Sequence, residues 1–155
     1  MKFFSRGFTL AEVLVVVSII GVLASLIAVN VTSSQARARD SRRQADLQNI
    51  AGALELYRAT NRAYPLEATS TAIDSSVLTT ALTPAFIANL PLDPHPNPSS
   101  WQEYSYVSDP GGSKFSLEAR LEKVNDSEET IQASDVFATG IYKDGDNYFY
   151  RVSGQ

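Results

Sequence analysis

Cysteine is missing from the sequence, and histidine occurs once, at His95. Without cysteine the chain has no disulfide, no zinc site built on thiolates and no cysteine nucleophile. A glycine-rich phosphate loop and a G-x-S-x-G element are also missing, so nucleophilic triads and phosphoryl transfer lack their parts. We therefore expect a protein that is not an enzyme and whose function needs no cofactor.

Charge is scarce at the start of the chain and unevenly distributed after it. Residues 8–36 hold one ionisable side chain, that of Glu12. Residues 37–62 hold six basic and three acidic residues, and residues 63–155 hold five basic and 13 acidic residues, a net charge of −8. This asymmetry favours a membrane or assembly role over a lone soluble domain. No nucleic-acid partner is expected at the acidic part, because phosphate contacts need clustered lysine and arginine.

A long apolar run occupies residues 8–31. Its central 17 residues, 13–29, carry no charge and have Ser18 and Ser25 as their polar side chains. At 1.5 Å per residue they cover about 25 Å, and the flanking residues extend the run to the roughly 30 Å of a bilayer core. An amphipathic soluble helix would show a polar face. The run therefore predicts a transmembrane helix.

A processing signal stands before this apolar run. Ordinary secretory signals are cut after the run, at a small-residue site, and no clear A-x-A cleavage site follows residue 31. Residues 6–12 instead read RGFTLAE, directly ahead of the run. With its basic leader and the apolar helix that contains Gly21, this motif resembles the N-terminal signal of type IV pilins and type II secretion pseudopilins.

The resemblance implies a specific maturation. A prepilin peptidase would cut between Gly7 and Phe8, remove the leader 1–7 and N-methylate Phe8. Glycine suits such a site because it puts no side chain in the way of a protease cleft. The mature protein would keep its apolar helix and begin at Phe8.

Glu12 is costly in an apolar helix, by about 2–3 kcal/mol at the centre of a membrane, so we expect it to have a partner. Cleavage creates one in the positive amine of Phe8. The resemblance implies that Glu12 meets this amine on a neighbouring subunit and sets the axial register of a filament. The alternative is a glutamate that reaches the membrane interface. Gly21, with Ala24 and Ser25 one turn on, predicts a small-residue face for helix packing.

The helical pattern continues to about Thr60, with an apolar stripe at Leu47, Ile50, Leu54 and Tyr57. Four segments follow from these patterns. They are the leader 1–7, a transmembrane and polymerisation helix 8–31, an amphipathic continuation 32–62 and a globular head 63–155.

The head reads as a small antiparallel sheet. Residues 103–108 and 114–121 alternate around a D-P-G-G turn and predict a β-hairpin. Further strands are expected at 136–142 and 148–152, and a short helix at Val77–Leu82. The predicted fold class is therefore α+β, the pilin fold, with the second half of the long helix packed on the sheet.

Arginines cluster at 37–43, and three interpretations remain open. The cluster could bind anionic lipid headgroups before assembly. It could instead meet the acidic heads of neighbouring subunits. A third interpretation is a solvated collar with local pairs such as Arg42 with Asp46.

Residues 143–147, KDGDN, form one metal-like cluster. Asp144, Asp146 and Asn147 are weak calcium candidates, since oxygen ligands around a glycine suit Ca²⁺. The same residues read as a hairpin turn, which we favour. His95 lies between prolines and is expected to be exposed, and no other metal site is predicted.

The sequence leaves three functions open. The first is a structural subunit of a pilus-like filament, most like a major pseudopilin. The second is a surface type IV pilin for adhesion, motility or DNA uptake. The third is a non-polymerising membrane protein whose head binds a ligand, for which Trp101, Tyr104 and Tyr106 could stack on sugars.

The resemblance also implies partners and a location. The partners are a prepilin peptidase, further copies and minor pilins, assembly platform proteins, and membrane lipids before assembly. The expected location is the cytoplasmic membrane, with one pass and the head outside, followed by an extracytoplasmic or cell-surface filament.

Overall fold

Four ranges of the chain are described by the computed structural model: residues 7–74, 77–95, 101–124 and 130–155. The leader residues 1–6 and residues 96–98 of the proline-rich segment lie outside these ranges. The chain divides into two compact units, residues 1–36 and 37–155, and each is described by itself.

The long helix α1 spans Leu10–Asn61, close to the predicted span that ended at Thr60. The residue after its end, Arg62, has a φ of 66°, and the Arg62 amide donates to the carbonyl of Arg58 at 2.7 Å. Such a left-handed residue after the last turn commonly terminates helices. Pro65 then prevents the chain from resuming helical geometry.

The other elements all lie in the second unit. In chain order they are β1 (Thr71–Ala72), α2 (Val77–Leu82), β2 (Ser105–Ser108), β3 (Phe115–Leu121), β4 (Gly140–Asp144) and β5 (Asn147–Gly154). The strands form an antiparallel sheet in the order β1-β2-β3-β5-β4. The β2–β3 hairpin and α2 confirm their predictions, and the fold is the predicted α+β arrangement.

The strand expected at 136–142 is shifted. β4 begins only at Gly140 and runs to Asp144, because residues before it form turns instead of a ladder. The amide of Ala138 donates to the carbonyl of Asp135 at 3.0 Å, and the same carbonyl accepts a hydrogen bond from Arg151 at 2.7 Å. The carbonyl of Asp135 therefore accepts hydrogen bonds within a turn and from the Arg151 side chain, instead of from a neighbouring strand.

The core of the second unit lies between the C-terminal half of α1 and one face of the sheet. Leu47, Ile50 and Leu54 are fully buried and form one cluster with buried sheet residues, as the helical stripe predicted. Tyr57 packs at its edge. The sheet and connector contribute Ile73, Leu78, Leu82, Tyr104, Tyr106, Phe115, Leu117 and Val152.

Candidate functional site

The predicted cleavage site lies in irregular chain just before α1. Residues 7–9 have no regular secondary structure, and the helix begins at Leu10. Gly7 is exposed, and a side chain added there would have no atom of the chain within 4 Å. Phe8 is 87% exposed. A protease can therefore reach the Gly7–Phe8 bond without unfolding the helix.

Glu12 forms a capping box with Thr9. One carboxylate oxygen, Oε2, accepts hydrogen bonds from the backbone amide and from the hydroxyl of Thr9, each at 2.8 Å. In return, the amide of Glu12 donates to the Thr9 hydroxyl at 3.2 Å. Each side chain thus satisfies an amide at the start of the helix. The T-x-x-E spacing of Thr9 and Glu12 is the sequence signal for this box.

The first unit exposes its apolar side chains around the helix. Every Val, Leu and Ile from Leu10 to Leu23 is more than half exposed. Ser18 and Ser25 bond back to carbonyls of their own helix, at 2.7 Å each, and need no other polar partner. A side chain added at Gly21 would likewise meet nothing within 4 Å. Among the described residues, no helix combines the length and apolarity needed to cross a membrane.

Arg43 is fully buried in the second unit and contacts three carboxylates. Its Nε and Nη2 donate to the two oxygens of Asp93 at 2.7 and 2.8 Å. Its Nη1 donates to Asp40 at 2.6 Å and to Glu122 at 2.8 Å. Arg39 adds a bidentate pair with Glu122. We call these five residues the Arg43 cluster.

The Arg43 cluster corrects the interpretations of the 37–43 arginines. Arg39 and Arg43 bind carboxylates of their own chain, so they are not available to lipid headgroups or to a neighbouring head. The hydrogen bond from Arg39, followed by that from Arg43, lowers the pKa of Glu122 to about 2. Only the local pair of the collar interpretation is confirmed, with Arg42 Nε 3.7 Å from Asp46.

Asp40 extends the Arg43 cluster to the end of the sheet. Its two oxygens accept the backbone amides of Glu122 and Lys123 at 3.0 and 2.9 Å, just past β3. The cluster therefore joins α1, the end of β3 and the Leu-Pro-Leu-Asp segment that carries Asp93. Sequence reasoning missed it, because its members are separated by up to 83 residues along the chain.

The calcium candidates lie in the second unit, at the tip of a hairpin. Asp144 pairs with Asn147 across the β4–β5 ladder, and Gly145 has a φ of 59°. The favoured interpretation as a turn is confirmed. Within the described residues, no three His, Cys, Asp or Glu side chains come together as metal ligands.

The aromatic candidates and His95 also differ from expectation. Tyr104 and Tyr106 are fully buried, with their hydroxyls donating to Asp46 at 2.9 Å and to the carbonyl of Pro65 at 2.7 Å. They cannot stack on a sugar. His95, expected to be exposed, is half-buried because its ring stacks on Trp101 with the centroids 4.3 Å apart.

The structure thus brings Gly7, Phe8 and Glu12 together at the start of α1 and leaves Gly21 about three turns further along the helix. Asp144, Asp146 and Asn147 belong to the other unit. This arrangement offers an accessible peptide bond, a capped helix terminus and an apolar helical surface. It holds no group of side chains set up for covalent chemistry.

Comparison with known proteins finds matches for the N-terminal motif and for a longer part of the chain. Residues 3–28 match the prokaryotic N-terminal methylation motif. A protein of Escherichia coli (strain K12) named type II secretion system core protein G is 36% identical over 100 residues, which are 59% of this chain and 68% of the relative. Its namesake in Pseudomonas aeruginosa is 34% identical over 110 residues, covering 66% of this chain and 72% of the relative.

A third relative with the same name, from Vibrio cholerae serotype O1, is 34% identical over 107 residues, covering 66% of this chain and 70% of the relative. No solved structure matches the chain at a significant level. The printed names of these relatives describe parts of a secretion system and not enzymes. Matches of this identity extend well past the N-terminal motif and into the head. The chain therefore belongs to the type II secretion system core protein G family.

Proposed function

We propose that this chain is a structural subunit of a pilus-like filament, a major pseudopilin of a type II secretion-like system. The observation that carries the proposal is the exposed apolar surface of α1 from Leu10 to Leu23, in a member of the core protein G family. Once such a helix leaves the membrane, each Å² of apolar surface that stays in water costs about 25 cal/mol. Packing of helices 8–31 from several copies would bury this surface. The role is mechanical and needs no cofactor.

Maturation comes first in this proposal. A prepilin peptidase cuts between Gly7 and Phe8 and methylates the new amine of Phe8. The match to the N-terminal methylation motif and the exposure of both residues support this step. Before assembly the subunit resides in the cytoplasmic membrane, among lipids, with its head outside. It then joins an extracytoplasmic filament with minor pilins and assembly platform proteins.

Glu12 sets the register in this proposal. In the isolated chain its carboxylate accepts two hydrogen bonds from Thr9, and both donors are neutral. The amine at Phe8 of an incoming copy carries a full positive charge, so it adds to the hydrogen bond a Coulomb attraction between opposite unit charges that a neutral donor lacks. A neighbour's amine can therefore compete with the cap for the carboxylate. Gly21 lets a second helix approach closely, since glycine places no side chain in between.

The test compares two variants of the capping box in cells that carry the secretion system. Glu12→Ala removes the carboxylate, whereas Thr9→Ala removes the cap and keeps the carboxylate. We expect normal processing in both, but a loss of filaments only in Glu12→Ala, as measured by shearing and immunoblotting. Equal losses would assign Glu12 to helix capping alone. The intact mass of the assembled protein identifies its first residue. Retention of Met1 would contradict the proposed maturation.

The same experiment separates the alternatives. Filaments that reach the cell surface without supporting secretion would identify a surface type IV pilin. Cleaved or uncleaved protein that never forms filaments would identify a membrane protein with a ligand-binding head. The burial of Tyr104 and Tyr106 argues against a sugar-stacking version of that head.

A further inference from the structure

An open groove of about 410 Å³ lies in the second unit, beside α2. Its described walls include Thr79, Asn89, Leu90 and Leu92, and Asp74 is the one charged residue among them. The filament role proposed above assigns no occupant to this groove, because that role rests on the first unit.

Asp74 is an exposed carboxylate without a partner in the described chain. No hydrogen bond or ion pair from those residues reaches its side chain, whereas the carboxylate of Asp93 is held by Arg43. The surrounding sequence supplies no cation either, since residues 63–113 hold five acidic residues and neither lysine nor arginine. A cation that binds Asp74 therefore comes from outside this segment and displaces no existing partner.

The walls of the groove suit a long basic side chain. Leu92 is 59% exposed and offers apolar surface to a methylene stem, which arginine and lysine bury while the charged end stays among polar groups. The Thr79 hydroxyl donates to the carbonyls of Ile73 and Asp74, at 3.2 and 3.3 Å, so its oxygen remains an acceptor. A guanidinium has five N–H donors and no acceptor. It can therefore bind the Asp74 carboxylate and the Thr79 hydroxyl together.

Arg37 is the matching cation on α1. It is exposed, and within the described chain its guanidinium has neither an ion pair nor a hydrogen bond. Arg39 and Arg43 differ from it, because they bind carboxylates of their own chain. Ala38 and Ser41, next to Arg37 on the helix, are exposed and small, so another surface can approach Arg37 closely.

Arg37 also follows the segment through which copies would pack. It stands six residues after the helix 8–31 in the same α-helix, about 9 Å further at 1.5 Å per residue. Copies that pack through 8–31 therefore bring Arg37 near neighbouring copies. Arg62, another exposed arginine without an ion pair in the described chain, comes just after the opposite end of α1.

We propose that the groove at Asp74 receives Arg37 of a second copy of this chain. The Arg37 guanidinium donates to the Asp74 carboxylate and the Thr79 hydroxyl, and its stem lies against Leu92. This inference rests on the proposed filament and adds a charged contact to the packing of helices 8–31. Complementary charges of this kind select the partner and its orientation.

Cysteine crosslinking tests the contact directly, because the chain has no cysteine of its own. Sheared filaments of the double variant Asp74→Cys with Arg37→Cys are treated with a short bismaleimide. A disulfide would be too short, since it needs Cα atoms about 6 Å apart and an arginine–aspartate pair holds them farther apart. Both changes remove charge without creating repulsion, so filaments still form through 8–31. We expect a ladder of covalent multimers on denaturing gels.

The controls for crosslinking use the same groove. Either cysteine alone can join only two copies, so the single variants should give nothing larger than dimers. Asp74→Cys with Arg62→Cys should also stop at dimers. A ladder from the Arg62 pair, or no ladder from the Arg37 pair in intact filaments, overturns the proposal.

A charge swap tests whether the contact contributes to assembly. Asp74→Arg or Arg37→Asp alone places like charges together and should lower the yield of sheared filaments at least about fivefold. The double variant Asp74→Arg with Arg37→Asp should restore the yield to within about twofold of wild type. Asp146→Arg makes the same change of charge at the exposed β4–β5 turn and should leave the yield unchanged.

Two outcomes of the swap would contradict the proposal. One is a double variant that assembles no better than the single variants. The other is a loss confined to Arg37→Asp, which would assign Arg37 to another partner such as anionic lipid headgroups. All the substituted residues are exposed, so subunit levels on immunoblots of whole cells should be unchanged and losses of yield report assembly.

The wild-type chain separates this inference from the proposed function. Wild-type filaments in which the Arg37 pair fails to crosslink contradict the groove contact alone. A wild-type chain that forms no filaments contradicts the proposed function, and the contact with it.

Discussion

The two halves of α1 differ in which side chains they expose and bury. In the first half, apolar side chains such as Leu14 and Val16 are more than half exposed. In the second half, Arg43 is fully buried beside Leu47 and Leu54. Exposed apolar surface and buried unpaired charge are both unfavourable, so each half indicates where its partners are. The second half, which carries the buried charge, has its partners within its own unit. The first half, which is apolar, obtains its partners from other copies in our proposal.

The strongest way to break this comparison is to remove the buried charge. Arg43→Met keeps an apolar stem but leaves Asp40, Asp93 and Glu122 without their shared cation. Breaking a buried ion pair by removing one partner costs about 3–5 kcal/mol. We expect a loss of that size in the free energy of unfolding, measured by urea denaturation of the full chain in micelles.

The matched control for Arg43→Met lies one residue away. The side chain of Arg42 is 64% exposed and stands 3.7 Å from Asp46. Exposed pairs contribute less than about 1 kcal/mol, so Arg42→Met should be nearly neutral. If Arg42→Met and Arg43→Met were equally destabilised, the Arg43 cluster would not be what holds the helix to the sheet.

A leucine in each half sharpens the comparison. Leu54 is fully buried, and Leu54→Ala should lower the free energy of unfolding by about 3 kcal/mol. Leu14 is 60% exposed, and Leu14→Ala should change it by less than about 0.5 kcal/mol. The same denaturation experiment measures both. A large loss in Leu14→Ala would mean that the first half has packing partners within the isolated chain.

Acid should weaken the charged half. Arg39 and Arg43 lower the pKa of Glu122 from 4.5 to about 2. A carboxyl group whose pKa is lowered by folding stabilises the native state above its unfolded pKa, and this contribution is lost as the pH falls towards the folded value. We expect a loss of about 2–3 kcal/mol between about pH 5 and pH 2. Glu122→Gln should flatten this part of the profile, and an unchanged slope would contradict the assignment.

The smallest effect is expected at the start of α1. Thr9→Ala removes the hydroxyl that accepts the Glu12 amide, and loss of such a cap costs about 1 kcal/mol. The change is local, so hydrogen exchange at the Glu12 amide should speed up while urea denaturation of the head is unaffected. Unchanged exchange would show that the cap does not form in solution.

Local patterns predicted most of the fold. The stripe of Leu47, Ile50 and Leu54 identified the buried face of α1, because helical periodicity needs no knowledge of distant residues. The D-P-G-G and D-G-D-N segments identified two hairpin turns for the same reason. The candidate maturation site, Gly7 with Phe8, could also be proposed from the sequence, since its motif is contiguous.

Contacts between residues far apart along the chain could not be predicted from the sequence. Arg43 looks like any surface arginine until Asp93 and Glu122, 50 and 79 residues away, are brought next to it. The start of β4 at Gly140 depended on Arg151 holding the backbone of Asp135. Stacking of His95 on Trp101 is a contact of the same kind. These features result from tertiary packing, which overrides local preference.

The position of β5 bears on when the head can fold. This strand is the latest in chain order, yet it lies inside the sheet, between β3 and β4. While the polypeptide is still being made, β3 and β4 have no ladder partner between them and expose free edges. The sheet can close only after Asn147–Gly154 has emerged. Until then the growing chain needs protection from edge-to-edge association, so a delay in completing the sheet is itself an aggregation hazard for this protein.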